Sequence, residues 1–150
     1  MIWGELAPRD TGSRWGVFAG MAPLVFLRAM YCVDPSYRPL RGTAAAIRGC
    51  PSSAAGSRAF RARNPALFAA AGVSDHAYMR WYPPSDEQDP SPEFSSLGQI
   101  ANLEHALDRL QRAYGSRRRF PIWNTEFGYI THPPKHSPDT TVTGLRVLYV

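Results

Sequence analysis

A chain of 150 residues with 44% apolar content can fill the core of one ordinary domain, which argues against a disordered tail. Charged residues reach only 19%, while 14 prolines and 12 glycines point to long loops on a folded frame. The net charge of +5 rests on 17 basic residues, all arginine except Lys135, and they are scattered apart from Arg117, Arg118 and Arg119, so no nucleic-acid partner is expected.

In chain order, residues 1–6 form a short apolar strand carrying Glu5 near its end, and residues 9–22 a Gly-rich loop. Residues 23–31 predict a helix with Pro23 in its first turn and Leu24, Leu27 and Tyr31 at helical spacing. Residues 32–63 show no such pattern and are expected to be a long irregular excursion. Asn64 followed by Pro65 marks a helix start, with Gly72 as its stop. Residues 73–79 predict a strand, and residues 82–93 a Pro-, Ser- and acid-rich loop. The strongest helix runs over residues 94–114, where Leu97, Ile100, Leu103, Leu107, Leu110 and Tyr114 share one face. Ser95 or Ser96 is its expected cap, Asp108 and Arg112 an i,i+4 pair, and Gly115 its end. Residues 120–127 predict a third strand, residues 131–139 a loop, and residues 140–150 have no clear pattern. Strands alternating with helices imply an α/β fold with a parallel sheet in a single domain.

Cys32 and Cys50 either close one disulfide, which would fit an oxidising compartment, or remain two free thiols; both lie in loop-like sequence, which favours the disulfide. No secretion signal is visible at the start of the chain, and the longest apolar run, residues 17–27, is too short to span a bilayer, so no membrane partner is expected. His132 and His136 have metal-like spacing, but Pro133 and Pro134 between them break any helix, so no metal is expected, and no phosphate loop or serine elbow signals a cofactor.

In a parallel α/β sheet, functional groups gather at the C-terminal ends of the strands. Here those ends carry Glu5, then Asp75, His76 and Tyr78, then Asn124 and Glu126, with Trp3, Trp81, Tyr82, Trp123, Phe127 and Tyr129 nearby. Carboxylates beside aromatic rings suit sugars, because rings stack on apolar pyranose faces while carboxylates bond hydroxyls or attack the anomeric carbon. A glutamate closing a strand is also a common polar rim residue, and a lone histidine is often structural.

The segment Trp123-Asn124-Thr125-Glu126-Phe127-Gly128-Tyr129 resembles the strand-seven motif of clan A glycoside hydrolases, the cellulase-like (β/α)8 barrels. His76-Ala77-Tyr78 is similar to the His-x-Tyr of strand six in the cellulase-type members. Gly4-Glu5-Leu6-Ala7-Pro8, Tyr31-Cys32-Val33-Asp34 and Tyr37-Arg38-Pro39-Leu40-Arg41-Gly42 are similar to secreted actinobacterial-type members. The similarity spans residues 2 to about 139. It implies a partial TIM barrel of strands five to seven, with Glu126 as the nucleophile of a retaining glycosidase and Tyr78 orienting it. By the same resemblance, His76, Asn124, Trp81, Trp123, Tyr129 and Glu5 bind a carbohydrate substrate, no cofactor is needed, and the full-length protein is extracellular. The acid/base of the clan sits in an Asn-Glu motif on strand four, and no Asn-Glu dipeptide occurs in this chain. The resemblance therefore implies a glycosidase fragment that is inactive alone, with a non-catalytic carbohydrate-binding remnant as the alternative.

Overall fold

A computed structural model describes residues 1–6, 20–78 and 91–126. Three parallel strands, β1 (Ile2–Leu6), β2 (Gly72–His76) and β3 (Ile122–Glu126), form one sheet in the order β1-β2-β3. Five helices are described: α1 (Pro23–Met30), α2 (Gly42–Ile47), α3 (Ala54–Arg63), α4 (Pro65–Ala69) and α5 (Ile100–Ala113). The chain is thus an α/β protein with parallel strands joined through helical crossovers, as alternating strand and helix patterns require.

The core lies on one face of the sheet. Leu6 and Val73 from the strands meet Leu24, Leu27 and Tyr31 of the α1 region, Phe68 of α4, and Leu103, Leu107 and Leu110 of α5. The last three belong to the apolar stripe read from the sequence, spaced so that one helix face buries them all. Tyr31 is fully buried without an orphaned hydroxyl: its OH donates to the Leu67 carbonyl, which also accepts Gln111 Nε2 at 2.9 Å. The ends of the core are clamped by Arg28, whose guanidinium grips both carboxylate oxygens of Glu93 at 2.8 and 2.7 Å.

Three local expectations need correcting. Residues 32–63 are not irregular, since α2 and α3 occupy much of that span. Neither helix has an apolar stripe to announce it: α2 buries only Ala45 and α3 only Ser57. They are held by the Ser53 cap, whose Oγ accepts from Gly56 N at 3.1 Å, by the single ring of Phe60 packed on Phe68 and Tyr114, and by a disulfide joining Cys32 to Cys50 across 18 residues. Asn64 does not cap α4 with its side chain. Its Nδ2 donates back to the Phe60 carbonyl at 2.7 Å, so the residue closes α3, and Gly72 opens β2 rather than ending a helix. The long helix is shorter than expected. A 3-10 turn, Leu97–Gln99, precedes α5, and neither serine supplies a cap, because Ser95 Oγ is engaged by Asp75 and Ser96 Oγ by the Gln99 side chain.

Candidate functional site

The chemistry expected at the strand ends depends on which face each side chain takes, and two β-bulges decide that. Between β1 and β2, Gly4 pairs with Ser74 and Leu6 with Asp75, leaving Glu5 as an extra residue. Between β2 and β3, Asn124 pairs with Asp75 and Glu126 with His76, leaving Thr125 extra. Side chains alternate along a strand, so one inserted residue turns everything beyond it to the opposite face. Without the second bulge Glu126 would share the face of Asn124. With it, Glu126 joins His76.

Backbone geometry supports the first bulge. Glu5 has φ +70° and Gly4 φ +130°, and a Cβ on Gly4 would lie 2.3 Å from the Ser74 carbonyl oxygen. Only glycine allows β2 to approach so closely there. At the other end of β2, a Cβ on Gly72 would meet Trp123 Nε1 at 2.6 Å, so the indole lies across the strand where a side chain would stand.

The face of the sheet opposite the helices carries a cleft of about 520 Å³, lined by Glu5 on one side, Ser74 and His76 in the middle, and Thr125 and Glu126 on the other. The Glu126 carboxylate is half-exposed and held at both oxygens. His76 Nδ1 lies 3.0 Å from Oε2, and the Tyr78 hydroxyl donates to Oε1. That bond to Glu126 holds the Tyr78 hydroxyl protonated above the ordinary tyrosine range. Ser74 and Thr125 share a hydroxyl–hydroxyl bond on the cleft floor.

The remaining expected residues fall in different places. The Asn124 amide nitrogen faces the backbone carbonyls of Glu126 at 2.9 Å and Asp75 at 3.2 Å, bracing the bulged strand end. Trp123 is 52% exposed, leaving its ring open to solvent. Trp3, one of the aromatics noted near the strand ends, tilts against Tyr31 beside the core at 6.3 Å between ring centroids. Trp81 and Tyr129 lie outside the described residues, as do His132 and His136. Among the described residues no cluster of His, Cys, Asp and Glu could hold a metal ion, and no helix is long and apolar enough to cross a membrane.

One residue was under-read in the sequence. Asp75 is completely buried, and only one of its oxygens has a partner, Ser95 Oγ at 3.2 Å. Burial pushes its carboxyl up to about 7, with the Ser95 hydroxyl bond pulling weakly the other way. The signal was the alternation itself: in Val73-Ser74-Asp75-His76, Asp75 falls on the Val73 face, which points at the helices.

Comparison of the sequence and structure with protein-family models, curated proteins and solved structures gave no match.

Proposed function

We propose that the cleft is the nucleophile side of a retaining glycosidase site, on a sheet equivalent to strands five to seven of a (β/α)8 barrel. The observation that carries this reading is the Glu126 carboxylate, set at the C-terminal end of a parallel strand and held by Tyr78 and His76 on the face that opens to the cleft. The sequence motif around Glu126 agrees with it. Two donors fix the orientation of one oxygen pair without burying it, so a lone pair remains free to attack an anomeric carbon. The bond formed joins a Glu126 oxygen to the anomeric carbon as the leaving oxygen departs, and water later breaks that ester to release the sugar.

The departing oxygen requires a proton, and Glu5 is a poor source. Glu5 and Glu126 line the same cleft, but the resemblance places Glu5 on strand five, whereas the acid/base of the clan stands at the end of strand four. The acid is therefore assigned to a residue outside the described site, and natural substrates should not turn over in this chain alone.

A leaving group that needs no proton isolates the nucleophile. Dinitrophenyl glycosides of common hexoses and pentoses should give a burst of dinitrophenolate of about one equivalent per protein, with a matching mass increase on Glu126. Glu126→Gln should abolish both. Absence of any burst across the panel would sink the assignment.

The exposed indole of Trp123 favours one further reading, a non-catalytic carbohydrate-binding surface. In that case Trp123→Ala removes glycan binding by at least tenfold, Glu126→Gln leaves it intact, and no burst occurs.

A further inference from the structure

A second cleft lies at the opposite end of the sheet, where the chain leaves α5 and approaches β3. It measures about 260 Å³ and is lined by Asp108, Arg112, Arg117, Arg118 and Arg119. Four arginines and one carboxylate thus line it, and two of the arginines, Arg112 and Arg119, reach Asp108. Part of this arrangement is structural. Arg112 stands in the last turn of α5, where a cation complements the helix dipole, and its Nη2 reaches Asp108 Oδ2 at 3.0 Å. Arg118 donates to the Ala70 carbonyl at 2.7 Å and lies over the Phe120 ring.

The rest exceeds what the fold uses. Arg119 Nε shares the same Asp108 oxygen at 3.5 Å, which leaves the terminal nitrogens of its fork unengaged. Arg117 lines the cleft with no protein acceptor of its own among the described residues. Each guanidinium offers five N–H donors in a plane, a geometry matched to tetrahedral oxyanions. Like charges crowd around one carboxylate, and a further anion would relieve that repulsion, although water screens it at these exposed side chains.

We propose that this cleft binds one phosphate- or sulfate-type oxyanion, through Arg117 and the free edges of Arg119 and Arg112, with Asp108 as an internal competitor. The volume suits a single oxyanion group rather than a nucleic-acid strand. The proposal is independent of the glycosidase reading, because the two clefts lie at opposite ends of the strands.

The test is calorimetric titration of the full chain with inorganic phosphate and with sulfate, ionic strength held constant by sodium chloride. One saturable site is expected. Arg117→Gln and Arg119→Gln should each weaken it about tenfold, the loss typical of one charge-assisted contact. Asp108→Asn should tighten it several-fold, a change that a purely structural ion pair would not produce. Arg117 and Arg119 are exposed while Asp108 is only 13% exposed, so the arginine variants carry the test, and circular dichroism of each variant should match that of the parent. Heats no greater than those of added chloride would overturn the proposal, as would variants that bind like the parent. An oligonucleotide that binds with steep salt dependence while phosphate does not would overturn it in favour of a nucleic-acid surface.

Discussion

At the scale of single residues, two carboxylates on adjacent strands, Asp75 and Glu126, meet opposite fates, although Glu126 pairs with His76, the next residue after Asp75. Glu126 and Asp75 both lie at strand ends, on neighbouring strands, yet one opens to a cleft and the other faces the helices. Asp75 is the residue with a predictable pH signature. Its folded-state carboxyl titrates near 7, against a usual value of 3.8. A group whose folded pKa is raised binds its proton more tightly in the folded chain, so stability falls as pH rises between those two values. The full window corresponds to about 4 kcal/mol. Asp75→Asn, uncharged and of the same size, should flatten that slope. Urea midpoints at pH 5 and pH 8 should differ in the parent and converge in the variant, and equal pH dependence in both would show that Asp75 is not responsible.

At the scale of elements, the bulges set the site. The β1 bulge depends on Gly4, whose backbone conformation and contact with the Ser74 carbonyl admit no side chain. Gly4→Ala should destabilise the chain by about 2–4 kcal/mol through strain and displacement of β2. The shift of Glu5 out of the cleft would accompany that loss, and a urea denaturation curve identical to the parent's would contradict it. By contrast, the Arg112–Asp108 pair joins neighbouring turns of α5 with its arginine largely exposed, an i,i+4 contact of a kind worth roughly 0.3–0.5 kcal/mol to the helix. Helix α5 itself was legible because Leu103, Leu107 and Leu110 enter the core from one continuous stripe, and a stripe is a sequence property. Helices α2 and α3 were not, because they are held by a serine cap, a covalent link and the one ring of Phe60, with no repeated apolar stripe.

At the scale of the whole molecule, the sheet has one covered face and one open face, and β1 and β3 are its outer strands among the described residues. Exposed Ile2 and Trp123 lie on these two strands, each of which has one neighbour among the described residues. The Cys32–Cys50 disulfide ties the end of α1 to the far end of α2. Closing a loop of that length restricts the unfolded chain, and replacing both cysteines by serine should reduce stability by about 3 kcal/mol. The loss should appear as a lower urea midpoint in the parent treated with reductant as well. Resistance of the midpoint to both treatments would mean that the core alone holds α2 and α3.

By itself the sequence determined the class of the fold, the strands and their order along the chain, the core stripe of α5, and the concentration of polar groups at strand ends. All of these follow from local periodicity and from the alternation of strand with helix. Only the tertiary structure decided which strand-end groups meet. The bulges at Glu5 and Thr125 are single-residue slips in pairing between strands that lie dozens of positions apart, and no local pattern encodes them. The same holds for Asp75 and for the arginine cleft. Burial and charge crowding are sums over neighbours brought together by folding, so a run of three arginines reads as solvated surface until Arg112 and Asp108 are placed beside it.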